Sequence, residues 1–458
     1  MQELDVQNRQ TMLQTVCIFC VVLQAAWFYP GFVYYDSFDQ YSQAVAGRYS
    51  DWHPPIMAVF WRVQMQLLGT ADAFYLIHII AFWLAVYIVV RNCGVGQWRV
   101  LLAVLFGFSP FVLPYLGVVW KDVSLAVSAL LACALIIDAR INGVKDGMFR
   151  GVAIALLLTY ASLVRTNGPF LTAPIILLAL GGPRGINIWW ALKSAALCAG
   201  LVLLSPIVNN VIIGAEKTGP IIQLQIFDIG GISHFSKKNL FPGAWTLAED
   251  KNITELCYDA NGWAVYAAGS CDFVLQKVDR PAISASWMGA IASHPIAYII
   301  HRLSHFNSLL RFIGYHDAYF YYVDNVPGYQ NVSHPAPAPV YRAFVGFMAA
   351  HPGQIWHKPY FWLLGALSLF LATIGSECRI RQAVNVMAFS SLFYLAGYLL
   401  FGVGPDFRFA LPAAVLVTLA AIVEVSTRFA PDGKAAGDPL KPFCGSSSAA
   451  GDWNDHIS

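Results

Sequence analysis

The sequence predicts an all-α polytopic membrane protein, and three observations carry that reading. Hydrophobic residues make up 57% of the 458-residue chain, and the mean hydropathy of +0.56 is far above that of an ordinary soluble domain. Only 12% of residues are charged. Several apolar runs of about 17–21 residues are long enough to cross a bilayer. A net charge of +2 gives no hold on a nucleic-acid partner.

Ten transmembrane helices are expected, at about 11–30, 73–90, 99–117, 122–138, 151–165, 168–182, 189–213, 359–375, 383–402 and 409–427. The first follows an acidic N-terminus, MQELDVQNRQ, and no small-residue cleavage site comes after it, so it reads as a retained helix rather than a signal peptide. Residues 56–69 are apolar but short and carry Arg62, which suits an interfacial or re-entrant helix. With the N-terminus in the cytoplasm, the inner connections hold Arg91 and Arg99, then Arg140, Lys145 and Arg150, then Arg184 and Lys193, then Arg379 and Arg381. The tail adds Arg428, Lys434 and Lys441. Every inner connection is basic, as the positive-inside rule requires. A full span at 56–69 would turn all of them outward. Both termini are therefore expected in the cytoplasm, in an inner or plasma membrane.

This topology divides the chain. An N-terminal membrane module covers 1–213, an extracytoplasmic region of mixed structure 214–358, C-terminal membrane helices 359–427, and a Gly/Ser/Ala-rich disordered tail 428–458. The outer region has the aromatics of a small domain, among them Trp245, Trp263 and Tyr319–Tyr322. Its stretch 286–312 mixes apolar runs with His294, His301, Arg302, His305 and Arg311, which suits an amphipathic helix lying along the membrane surface. Of nine cysteines, only Cys257 and Cys271 fall on the oxidising side, so these two are expected to form a disulfide.

The chemistry is expected where the charges are. Residues 31–55, GFVYYDSFDQYSQAVAGRYSDWHPP, form the first outer loop and carry Asp36, Asp39, Asp51, Arg48 and His53. Charge beside hydrocarbon is costly and needs a reason. Asp36, inside a tyrosine collar, is placed to act as a general base, and burial against lipid and aromatics would raise its pKa. Helix capping explains the same residues structurally. His53, before Pro54-Pro55, offers a hydrogen bond to a phosphate or a hydroxyl. Three further short turns, Trp120-Lys121-Asp122, Arg165-Thr-Asn167-Gly168 and Pro405-Asp406-Phe-Arg408, fall on the same side. Arginine suits phosphate through its fork of donors. Basic groups in three turns with acids opposite read as a site for an anionic lipid headgroup.

At these residues the chain resembles the GT-C superfamily of membrane glycosyltransferases, which includes protein O-mannosyltransferases and lipid A aminoarabinose transferases. The resemblance covers about 10–215 and 359–427. It rests on Asp36 in the first outer loop, His53-Pro54-Pro55, Asp122 in the second, and the Asp406-Phe-Arg408-Phe…Pro412 run before the last span. It implies a polyprenyl-phosphate-linked sugar as donor, a glycan, lipid or protein acceptor, and Asp36 as the catalytic residue. Asp39, His53, Lys121, Asp122, Arg165, Asn167, Asp406 and Arg408 would bind substrate. Asp36 and Asp39 are separated by two residues, so no Asp-X-Asp is present, and a divalent metal is the one cofactor left open. Two other classes compete. A transporter or lipid flippase would place polar groups near the midplane, often with an inverted repeat. A polysaccharide polymerase or ligase would use Arg302, His305 and Arg311 of the large outer loop. Convergence of Asp36, Asp122, Arg165 and Arg408 on one outer cavity would discriminate among them.

Overall fold

A computed structural model describes residues 2–94, 96–142, 147–181, 186–314, 339–351 and 353–429. Lys145, Arg184, Tyr319–Tyr322, Lys434, Lys441 and most of the tail lie outside them. The described residues are helical and contain no strand, so the mixed structure expected for 214–358 gives way there to helices.

Among the described residues, six helical segments are long and apolar enough to cross a membrane: Gln7–Phe28, Ala73–Asn92, Lys121–Asn142, Ile188–Ile212, Arg379–Phe401 and Leu411–Arg428. The chain is a multi-pass membrane protein. Each of the six matches one of the ten expected spans. The other four runs form shorter helices, Gln97–Gly107, Gly147–Leu163, Gly168–Ala179 and Pro359–Thr373. Chain breakers explain the first: Gly107 ends the helix, and Ser109-Pro110 leads into the single turn Leu113–Leu116. At 11 residues, Gln97–Gly107 is only about 16 Å long, about half a bilayer core.

Lys121–Asn142 is the central pillar. Small side chains along it (Ser124, Ala126, Ser128, Ala129, Ala132, Ala134) let Ala73–Asn92, Gly147–Leu163 and Leu411–Arg428 close around it, and all six are buried. Its first two residues, Lys121 and Asp122, reach the motif end of the bundle. At the other end Asp138 pairs with Arg91 and Arg150.

The first loop folds as two short helices, Tyr35–Ala46 and Ile56–Leu68, and the second keeps the length expected of a non-spanning segment. Arg62 has a structural task. Its guanidinium donates to the carbonyls of Ala44 and Val45, at 2.9 and 3.1 Å, capping the C-terminus of the first helix with the second. Two isolated parallel bridges, Phe32 with Val118 and Ser50 with Glu216, stitch this loop to its neighbours.

The 214–314 segment forms a helical unit around Ile226, Phe227, Ile229, Phe241, Ile253, Tyr266 and Val274, and the expected Cys257–Cys271 disulfide is present at its centre. The stretch 286–312 differs from expectation. It falls into two helices, Ile283–Ser293 and Pro295–Leu310, whose axes bend by 101° at His294-Pro295. Its His301, Arg302 and His305 are buried rather than turned to headgroups, because they find partners inside the protein: Asp228, the Gly402 carbonyl and the Ala260 carbonyl.

Candidate catalytic site

Four separate turns deliver their charged groups to one cluster. Asp36 lies in the first turn of Tyr35–Ala46, where free backbone N–H groups favour a carboxylate. Lys121 opens the pillar helix, Arg408 sits in the one-turn helix Phe407–Phe409, and His53 lies in the bend before Pro54. Asp36 Oδ2 is 2.9 Å from Arg408 Nη1 and 3.5 Å from Lys121 Nζ, and Oδ1 is 3.9 Å from His53 Nε2. Lys121 Nζ donates to His53 Nδ1 at 2.6 Å, which leaves the imidazole Nε2 facing Asp36.

A second layer stands beside the first. Asp122, wholly buried, is ion-paired with Arg165, whose Nε donates to Asn167 Oδ1 at 2.9 Å. The Arg165 turn is tight, closed by Gly168 N donating to the Arg165 carbonyl, and a side chain at 168 would collide with the Ala161 carbonyl. Arg408 Nε also donates to Asp406 Oδ2 at 3.2 Å. Two aromatics join the layers. The Arg165 and Arg408 guanidinium carbons lie 4.6 and 5.1 Å from the Phe409 ring, and Arg408 lies 5.0 Å from the Trp120 ring. Both rings belong to motifs named in the sequence, Trp120 before Lys121 and Phe409 after Arg408, but the sequence assigned neither a role.

Charge counting limits what the cluster does as it stands. Asp36, Asp122 and Asp406 face Lys121, Arg165 and Arg408, three carboxylates against three cations, all ion-paired. The raised pKa expected for Asp36 is therefore overturned. Burial pushes it up, but Lys121 and Arg408, with help from His53, outweigh burial and hold the carboxyl well below the usual range. His53 is kept neutral, its pKa pushed down to about 3 by burial and then by Lys121. Asp39 stands apart. Its partner is Gln43, 2.7 Å away on the same helix, and burial raises its pKa. Asp51 is also outside the cluster, accepting from Thr218 N and Oγ1 at 2.6 and 2.7 Å and from Asn210 at 3.1 Å, a clasp rather than a reactive group.

The donor set does not suit a divalent cation. The carboxylates of the cluster are already matched by a guanidinium or an ammonium, and among the described residues no three His, Cys, Asp or Glu side chains group as a metal site. A cavity of about 840 Å³, lined by Arg140, Arg379 and Gln382, opens near the far end of the pillar helix, roughly 28 Å from Lys121 along its axis, and no motif residue lines it. Compared with protein-family models, curated proteins and solved structures, the chain matches none.

Proposed function

We propose that the chain is a membrane glycosyltransferase of GT-C type that moves a sugar from a polyprenyl-phosphate donor to an acceptor hydroxyl on the extracytoplasmic face. One observation carries the reading: Asp36, His53, Lys121 and Arg408, with Asp122–Arg165 beside them, converge from separate turns at one end of an apolar helix bundle. A carboxylate beside several cations, at an end of the helices where a lipid headgroup would lie, supports this transfer.

In the step, the acceptor oxygen attacks the anomeric carbon and its proton passes to a carboxylate. The bond from that carbon to the phosphate oxygen breaks, and the electron pair leaves on the polyprenyl phosphate. Arg408 and Lys121 stabilise the charge growing on that phosphate, with Arg165 behind them. The cluster's carboxylates and cations balance, so a bound phosphate has to draw Arg408 and Lys121 partly away from Asp36. That exchange releases the carboxylate from the pairing that depresses its pKa, so Asp36 becomes basic when the donor is seated. A second assignment has its own support: the raised pKa of Asp39 suits a base directly, with Asp36 as the anchor for the cations.

The rival classes are less well supported. The charged groups of the pillar helix lie at its two ends rather than at the midplane expected of a transporter. Arg302, His305 and Arg311, which a ligase would use, are buried and bonded within the protein. The test is to replace the parental gene by Asp36→Asn and by Asp39→Asn and to analyse the lipids. Accumulated polyprenyl-phosphate sugar and a missing glycan substituent are expected for the base variant, with turnover down by about a hundredfold or more. Parental lipid and glycan profiles in both strains would overturn the reading.

A further inference from the structure

The turn that presents Arg408 is gripped from outside the membrane-spanning helices. Within four residues, three carbonyls of the strap 402–405 accept from the 263–311 part of the chain. Arg302 Nη1 donates to Gly402 at 2.7 Å, Trp263 N to Val403 at 3.2 Å, and Arg311 Nη2 to Pro405 at 3.2 Å. Behind this grip lies a buried acid. Asp228 has no solvent exposure; it meets Arg302 Nη2 at 2.8 Å, accepts from Trp287 Nε1 at 2.8 Å, and lies 3.1 Å from His301 Nε2. Close helix packing allows it, since a side chain at Gly231 would run into the His301 ring.

Stability does not explain this arrangement well. A buried ion pair is weak evidence for stability, since well-packed apolar residues of similar volume often serve as well or better. Its surplus is geometric: with one edge of the guanidinium fixed by Asp228, the other edge holds Gly402 in place. Arg311 points the same way. It ends the Pro295–Leu310 helix at a φ of 57°, where glycine is favoured, yet its guanidinium bonds two carbonyls, His357 at 2.8 Å and Pro405.

We infer that Asp228, Arg302 and Arg311 are positioning residues: they fix the 402–405 strap and through it the Arg408 guanidinium against Asp36, an inference that rests on the donor-phosphate reading of that cluster. The test uses the full chain in lipid nanodiscs, with two variants. Asp228→Leu/Arg302→Met removes the pair without leaving a lone buried charge. Arg302→Lys keeps the charge on Asp228 but not the second edge that reaches Gly402. Hydrogen exchange is read at the Phe409 and Ala410 amides, now bonded to the Asp406 and Phe407 carbonyls, and along Lys121–Asn142. Polyprenyl phosphate is the binding probe. In both variants, exchange at Phe409 and Ala410 should quicken by about tenfold or more while the pillar helix stays protected, and polyprenyl phosphate should bind about tenfold more weakly. Unchanged exchange at the turn would overturn the inference, as would a rise spread over the whole chain, which marks a structural role only. A loosened turn with parental binding would overturn it too. Should the parental protein itself not bind polyprenyl phosphate, the donor reading fails, and the exchange data still decide whether the brace exists.

Discussion

Arg165 stands against Asp122, a carboxylate with no solvent exposure, and that contact decides what its removal does. Arg165→Ala strands a buried charge, so a loss of about 3–5 kcal/mol in stability is expected before any effect on a donor is seen. Arg165→Lys keeps the charge but not the fork that also reaches Asn167, so it should restore stability in thermal unfolding and donor binding only in part. A stable Arg165→Ala protein with parental donor binding would remove this residue from the site. Acid titration is a second check on single residues. His53 has its folded pKa pushed below its unfolded value, so between about 6.5 and about 3 the unfolded chain binds the extra proton and stability falls with falling pH. Asp36 acts in the same sense lower down: its depressed pKa contributes stability above the unfolded value near 4, lost as pH falls further. Thermal melts from pH 7 to pH 4 should show a declining melting temperature, and His53→Gln should flatten that decline. An equal slope in the variant would show that His53 is not the group that charges.

Among the elements, the first-loop helix Tyr35–Ala46 depends on its neighbour. Arg62→Met keeps much of the side-chain length but loses both bonds to the Ala44 and Val45 carbonyls, so a cost of about 1.5–3 kcal/mol is expected. Limited proteolysis should then cut within 35–50 before it cuts the membrane helices; parental resistance there would show that the cap contributes nothing. The elements also show what a sequence carries and what it hides. Asp36, His53, Lys121 and Arg408 were readable because each sits where an apolar run ends or beside a proline, and charge at such points is conspicuous. Their pairing was not readable. Nothing in the local sequence says that Arg408 lies on Asp36 rather than on a ligand, so burial suggested a raised pKa where the paired cations impose a low one. The 286–312 stretch failed for a related reason. His301 and Arg302 looked like part of a wet face because their partner, Asp228, lies in the run IQLQIFDIGG and gave no signal of its own. Four runs read as spans for their hydropathy are shorter helices, since a window of composition does not register the turn that breaks it.

At the scale of the molecule, the pillar helix spaces two charged layers, at Lys121 and at Asp138, roughly 26 Å apart, near the thickness of a bilayer core. To one side, the 214–314 unit has its own small core, pinned by Cys257–Cys271 across a separation of 14 residues. Replacing both cysteines by serine should destabilise that unit by about 2–4 kcal/mol. Loss of protection is expected in 222–310 and, through the strap, at Phe409, with Lys121–Asn142 unaffected; exchange equal to the parent in 222–310 would show the disulfide to be dispensable. The ion pair between Asp36 and Arg408 has a consequence for biogenesis. Its two residues are 372 positions apart, and Arg408 immediately precedes the apolar helix Leu411–Arg428. While the ribosome is still working, Asp36 therefore has Lys121 but not its nearest partner, and that pair closes only after Arg408 has been made. A chain stalled before Arg408 lacks the guanidinium nearest Asp36, and a membrane protease that surveys nascent proteins has there a chemical difference between a chain that has passed this turn and one that has not.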